Sequence, residues 1–262
     1  MLSQNQVKHI SALRVKKYRE EFSQFIAEGH KLVMDLVGSD FPIAGIYASS
    51  EWIVANLSLI GEKKIPVFET IPREMERITA LTSPSPVLAV VGIRQAFIPA
   101  VDGNISLPGL NLALDDIRDP GNMGTIIRIA DWFGISAVFC SGSCVELFNP
   151  KVVQATMGSI ARVKVLTCDL AGLLASQKAC HDDYPVYGAF LEGESLYDQP
   201  LADHGLIVIG NESRGISREL ERFVNRKIYI PSFGQSDAGK AESLNASVAA
   251  AIICAEFRRK MF

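Results

Sequence analysis

The chain has 262 residues, 48% of them hydrophobic, enough to bury a sizeable core in one or two domains. Its 26 basic and 29 acidic side chains leave a formal charge of minus 3, which excludes a protein that holds nucleic acid over its whole surface; any such contact is local. The five cysteines show no CxxC spacing, and no histidine near Cys140 or Cys144 completes a tetrahedral zinc site, so reduced thiols and no metal are expected. The opening residues do not read as a charged-then-apolar leader. The longest apolar stretch, residues 246–255, is about half a membrane span. A cytoplasmic location with no membrane partner is the expectation.

In chain order, residues 9–19 show apolar side chains at helical spacing in a polar setting. Residues 25–27 read as a short strand, 31–37 as a helix and 43–48 as a strand. Residues 52–60, 66–68, 72–81 and 87–93 continue the alternation. This is a small α/β domain over residues 1–95. Its first 19 residues carry Lys8, Arg14, Lys16, Lys17 and Arg19 with no acidic residue among them. Such a run is either an RNA-contacting patch or a solvated helix face. A linker over residues 96–109 follows, where Pro99, Gly103, Asn104, Pro108 and Gly109 favour turns over periodic structure.

Residues 110–262 form the second expected domain. Strands are predicted at 110–114, 137–140, 163–166, 186–190, 206–209 and 227–230. Helices fill the intervals near 124–133, 151–159, 170–179, 218–224 and 244–259. Strands alternating with helices imply a largely parallel sheet. The final helix is apolar nearly all round and must be buried on more than one side.

Three segments of this domain each begin where an apolar run ends, the position at which open α/β sheets bind ligands. The first is Asn122-x-Gly124-x-x-x-Arg128-x-Ala130, the second Gly210-Asn211-Glu212-x-x-Gly215-Ile216. The third is Ile230-Pro231 with Ser243-Leu244-Asn245-x-Ser247-Val248-Ala249. In this order they resemble the SpoU (TrmH-like) family of RNA 2′-O-ribose methyltransferases in the SPOUT superfamily, over roughly residues 107–262. A stretch from Asn149-Pro150-Lys151 to Met157-Gly158 resembles the family as well. The opening, from Lys16 to Gly29, is similar to the substrate-binding domain, of ribosomal-protein type, found ahead of the catalytic domain in many SpoU relatives.

The resemblance implies an α/β fold whose C-terminal SPOUT-type parallel sheet carries a deep trefoil knot. It further implies a homodimer, S-adenosylmethionine as cofactor, and methyl transfer to a ribose 2′-hydroxyl of structured RNA, with rRNA favoured over tRNA. Arg128, Asn122, Glu212, Ser243 and Asn245 are then the catalytic residues, and Gly210, Asn211, Gly215, Ile230, Pro231 and Leu244 hold the cofactor. Each has a plainer reading: a surface arginine for Arg128, a helix-terminal carboxylate for Glu212, an N-cap for Ser243. Gly210 is expected to leave room for a flat ring and Gly215 to make a tight turn. Because a guanidinium stays protonated in proteins, Arg128 is read as a phosphate and alkoxide binder and not as a base.

Three rivals are weaker. Gly234 to Ala241 nearly spells a phosphate-binding P-loop but lacks its final Ser or Thr, and one helix is too little chain for the sheet such an enzyme needs. No two glycines stand two positions apart, so a GxGxxG dinucleotide turn is absent. A non-catalytic RNA-binding relative would not need to keep Asn122, Arg128, Glu212, Ser243 and Asn245 together.

Overall fold

The structure is a computed structural model in which residues 1–93, 107–181, 183–233 and 243–259 are described. Most of the expected linker and the P-loop-like stretch at 234–241 lie outside the described residues. Packing divides the chain into two units. One comprises Met1–Gln95 with Glu146–Arg162, the other Ala96–Val145 with Val163–Phe262. The sequence suggests a single division at the linker over residues 96–109, whereas the fold also draws residues 146–162 into the first unit.

The first unit is built on a four-stranded sheet of order β1-β4-β2-β3, with β1 Gln24–Glu28, β2 Ile43–Ala48, β3 Val67–Glu69 and β4 Val87–Gly92. Strand β4 runs antiparallel to β1 and β2, and β3 runs parallel to β2. The helix expected over 9–19 is two helices, α1 Gln4–Ala12 and α2 Lys16–Phe22. The break falls at Leu13, whose side chain is fully buried and whose carbonyl accepts from Arg19 Nη1 at 2.9 Å. Helix α1 starts at a capping box in which Ser3 Oγ accepts from Gln6 N and Gln6 Oε1 accepts from Ser3 N. Ile10, Leu13, Ile26, Tyr47, Met75, Ile78, Leu88 and Val90 form one core cluster of this unit.

Helices α3 His30–Val37, α4 Ser50–Ala55, α5 Leu57–Glu62 and α6 Pro72–Ile78 complete the run to β4. The later segment brings α8 Pro150–Ala155, capped by Asn149 Oδ1 on Lys151 N at 2.9 Å, and sets the Phe148 ring 4.7 Å from that of Phe25.

The second unit carries a six-stranded sheet of order β10-β8-β9-β5-β6-β7, and every pair in it is parallel. Its strands are β5 Leu110–Leu114, β6 Val138–Cys140, β7 Val165–Thr167, β8 Val186–Ser195, β9 Gly205–Ile209 and β10 Arg226–Tyr229. Every residue of β5 and β9 is buried, as parallel strands covered on both faces require. One face packs Ala113, Phe139, Leu206 and Val208 against Leu170, Leu173 and Leu174 of α9 Leu170–Cys180 and Leu220 of α10 Arg218–Glu221. Against the sheet's Tyr187 the α11 residue Phe257 stands edge-on, ring centroids 4.8 Å apart. Helices α7 Pro120–Trp132 and α11 Ala246–Arg259 pack on each other. This arrangement gathers the carboxyl ends of β5, β9 and β10 where the three motifs leave the sheet.

Candidate active site

Strand β5 is followed by Asp115 and Asp116, and both hold the turns beyond it. Asp115 Oδ2 accepts from Ser217 N at 2.8 Å, and the Asp116 carbonyl accepts from Asn211 Nδ2 at 2.9 Å. The next residues lead into α7, which begins four residues earlier than expected. Asp119 Oδ1 caps it by accepting from Asn122 N at 2.8 Å, and Pro120 takes the first helical position. Asn122 therefore projects from the first turn of the helix.

After β9 the chain makes a closed loop. Asn211 and Gly215 exchange both backbone hydrogen bonds, at 3.1 and 2.8 Å, and Asn211 Oδ1 accepts from the amides of Ser213 and Arg214. Gly215 sits at φ +70, a left-handed conformation natural to glycine. A Cβ on Gly210 would lie 2.3 Å from the Gly215 carbonyl carbon and 2.4 Å from the Ile216 nitrogen. The space at Gly210 is thus filled by the loop's own backbone; the expected opening for a flat ring is not what requires glycine there. Glu212 rides on this loop.

The third motif returns residues 243–245 to the same place. The expected cap of the last helix, Ser243, is displaced by Asn245, because the first helical residue is Ala246 and not Leu244. Asn245 Oδ1 accepts from the amides of Ser247 at 2.9 Å and Val248 at 3.3 Å and from Ser247 Oγ at 2.6 Å. Its Nδ2 donates to Asn122 Oδ1 at 2.8 Å, and Asn122 Nδ2 donates to Glu212 Oε1. Three segments of the sequence thus meet in one chain of hydrogen bonds.

The direction of that chain is forced. An ionised carboxylate only accepts, so the amide nitrogen of Asn122 faces Glu212 and its oxygen faces Asn245. Ser247 Oγ lies 3.4 Å from Asn122 Oδ1 as well, with its one hydrogen directed to the nearer Asn245 Oδ1. Ser247 has no role in the sequence reading, although it stands in the third motif two residues after Asn245. Asp115 and Asp116 were missed likewise, although two acids directly after a buried run are unusual enough to mark the end of β5.

Beside the network lies a cleft of about 1640 Å³ lined by Gly210, Asn211, Glu212, Gly215, Ile230, Pro231, Ser243 and Leu244 among others. Apolar Ile209, Ile216 and Ile228 share its wall with Glu192, Glu221, Arg214 and Lys227. Arg128 is placed differently. It is exposed, six positions beyond Asn122 on α7, and does not line the cleft. At about 100° per residue the two side chains leave the helix on different sides. Beside the β5 turn, Cys144 Sγ accepts from Ile117 N at 3.3 Å. Its hydrogen bond with Cys140, helped by Ser141 and backbone amides, lowers the Cys144 thiol to about 7, while the same bond and burial push Cys140 well up.

The model of the SpoU rRNA Methylase family matches residues 109–255. This chain belongs to that family. A second model, the MRM3-like substrate binding domain, matches residues 4–89. The chain is 29% identical over 253 residues, 96% of its own length and 95% of the relative's, to the 23S rRNA (guanosine(2553)-2'-O)-methyltransferase RlmP of Bacillus subtilis. Among solved structures it is similar to an AdoMet-bound rRNA methyltransferase from Sinorhizobium meliloti, at 30% identity and TM-score 0.85 over 100% of this chain and 97% of the other. A TrmH-family protein from Porphyromonas gingivalis is similar at 36% identity and TM-score 0.85, with 99% of each chain covered. The fold expected from the sequence, a parallel sheet behind a small substrate-binding domain, is the fold found in this SpoU chain.

The basic residues expected to touch RNA divide in the structure. Lys8, Arg14, Lys16 and Lys17 are exposed. Arg19 is 2% exposed, pairs with Glu146 and donates to the Leu13 carbonyl. It is an internal strut and leaves the proposed RNA surface. No helix among the described residues is long and apolar enough to cross a membrane.

Proposed function

We propose that this SpoU chain transfers a methyl group from S-adenosylmethionine to a ribose 2′-hydroxyl of structured RNA, ribosomal RNA before tRNA, in the cytoplasm. The observation that carries the reading is the Asn245–Asn122–Glu212 chain, which ties the three motifs together at the rim of the cleft. The cleft suits the cofactor. Apolar walls at Ile209, Ile216, Ile230 and Leu244 fit an adenosine, and a wall that carries both acids (Glu192, Glu212) and bases (Arg214, Arg218), with Glu221 paired to Lys227, suits a ligand bearing both a cation and a carboxylate. Gly210, Asn211, Gly215, Ile230, Pro231 and Leu244 would hold it there.

When bound, the cofactor supplies a sulfonium methyl that a ribose oxygen attacks. The chain's own work is positioning and electrostatics. Asn122, fixed from both sides, presents its amide to the acceptor; Asn245 holds it there and Ser243 lines the adjoining cleft. Arg128, exposed on α7 and off the cleft, binds a phosphate of the RNA. Residues 1–95 present the RNA, with Lys8, Arg14, Lys16 and Lys17 on its phosphates.

Association into a homodimer belongs to this reading. Trp132 is 85% exposed one turn beyond Arg128 on α7, and Val248 is exposed on the neighbouring α11. Exposed apolar side chains on two packed helices are suited to a second copy, and a dimer through α7 takes Arg128 out of bulk solvent. The return of residues 243–245 to the β5–α7 turn is read as the closing pass of a trefoil knot.

The test is methyl transfer by the purified protein. Tritiated S-adenosylmethionine is incubated with ribosomal RNA from cells lacking this gene, and the product is hydrolysed with alkali. Label retained in an alkali-resistant dinucleotide supports ribose methylation; label in mononucleotides or none at all refutes it.

A further inference from the structure

Helix α2 is built inside out. Of its seven residues Lys16–Phe22 only Arg19 is buried, and it is held there by Glu146 and by the Leu13 carbonyl. A surface helix ordinarily turns its apolar side chains inward and its charges outward. Here the charge is inside and the aromatic residues are out: Tyr18 is 37% exposed and Phe22 40%.

The two rings are ordered. Tyr18 and Phe22, one turn apart, lie nearly parallel at an interplanar angle of 14°, centroids 6.2 Å apart. His9 stands edge-on to Phe22 at 4.7 Å, and its Nε2 is held by Gln24 Oε1 at 2.8 Å. Phe22 is thereby braced from behind by a side chain that is itself tied to β1. Exposed lysines stand on the same two helices, Lys8 on α1 and Lys16 and Lys17 on α2, where Glu20 and Glu21 are exposed as well. Lys8 and Lys17 are exposed and make no ion pair among the described residues; Lys17 Nζ stands over the Tyr18 ring at 5.8 Å and can swing to a phosphate when a base stacks there, and Lys16 meets Glu20 only in an exposed contact at 3.6 Å, which a phosphate can displace.

We propose that Tyr18 and Phe22 form a stacking platform for unpaired nucleotides of the RNA substrate, with Lys8, Lys16 and Lys17 on the flanking phosphates. This rests on the reading that the substrate is RNA and names the class of RNA element the first unit takes. Aromatic faces accept any base that is out of a duplex stack, and lysines supply the backbone attraction, so the chemistry selects single-stranded loops or bulges over helical stems. A docking protein would find fewer uses for the lysines, and a duplex would find none for the rings.

The experiment uses the full chain and two fluorescent probes, a 12-nucleotide single-stranded RNA and a blunt RNA duplex of 12 base pairs. Four proteins are compared by anisotropy: wild type, Tyr18→Ala with Phe22→Ala, Tyr18→Phe with Phe22→Tyr, and Lys16→Ala with Lys17→Ala. Loss of two stacking rings weakens single-strand binding by roughly thirty-fold or more, leaves duplex binding unchanged, and is restored by the aromatic exchange. The lysine variant weakens both probes and flattens the salt dependence. Matching melting curves for all four keep the comparison free of folding effects.

Single-strand binding unchanged in the alanine pair overturns the platform. So does an equal loss on both probes. The underlying reading is checked separately on the wild type: methyl transfer that persists with an unchanged KM for RNA in the alanine pair refutes the platform alone, whereas a wild type that neither binds RNA nor methylates it refutes the substrate class.

Discussion

Asn245→Asp separates two roles that one side chain performs. Its Oδ1 caps α11 through Ser247 N at 2.9 Å and Val248 N at 3.3 Å, while its Nδ2 donates to Asn122 Oδ1 at 2.8 Å. Aspartate keeps the first role and gains about 0.3–1 kcal/mol from negative charge at a helix N-terminus. It cannot perform the second. Two acceptors then face each other, and turning the Asn122 amide over merely moves the conflict to Glu212.

Asn122 is half-buried, so water takes over the broken bond and stability falls by no more than about 1 kcal/mol. The loss shows in rate. An amide that is no longer fixed is displaced on the scale of about 1 Å, which lowers catalysis by roughly ten- to a hundred-fold. Asn245→Ala, lacking the cap as well, loses about a further 1 kcal/mol of stability. Single-turnover methyl transfer and thermal melting on the same preparations measure both quantities. Wild-type turnover by Asn245→Asp would refute the claim that a directional hydrogen-bond chain organises the site.

Other consequences follow from particular contacts. Arg19→Ala leaves Glu146 without its buried partner and should destabilise the protein by about 3 kcal/mol, read as a lowered denaturation midpoint; a change under about 1 kcal/mol contradicts the strut. Gly210→Ala drives a Cβ to 2.3 Å from backbone, whereas at Gly215 the space is open and only the φ of +70 resists. The first substitution should therefore cost about 1–3 kcal/mol and abolish S-adenosylmethionine binding in a calorimeter, the second about 1 kcal/mol or less; the reverse order contradicts the loop assignment. In a Cys180→Ser background, iodoacetamide should modify Cys144 at a rate that climbs as pH rises through about 7, because a thiol whose pKa is lowered from 9.0 is thiolate above that value. Modification that begins only above pH 9, identified by peptide mass, contradicts this.

Periodicity located the scaffold because its strands are short, buried and bounded by turns. Residues 43–48 and 110–114 were read with the bounds the fold shows. What periodicity could not show was anything that depends on a distant partner. The helix over 9–19 is broken because Leu13 is drawn into the core and Arg19 reaches a residue far along the chain. Arg19 looked like its exposed neighbours for the same reason: one residue's charge says nothing of the carboxylate it will meet.

The site was partly legible. Asn122, Glu212 and Asn245 were named from the motifs, and the structure joins them. Their hydrogen-bond order needed coordinates, as did the cap at Asn245 in place of Ser243 and the backbone crowding at Gly210. Ser247, Asp115 and Asp116 act through short polar contacts whose partners only the folded chain brings to them.

The most direct measurement of the central claim is a map of ribose 2′-O-methyl groups in total RNA from cells with and without this gene. The account predicts that one site or a small set of sites in ribosomal RNA loses its methyl group when the gene is absent and regains it with the wild-type gene but not with an Asn122→Ala copy. Identical rRNA and tRNA maps in the two strains would contradict it.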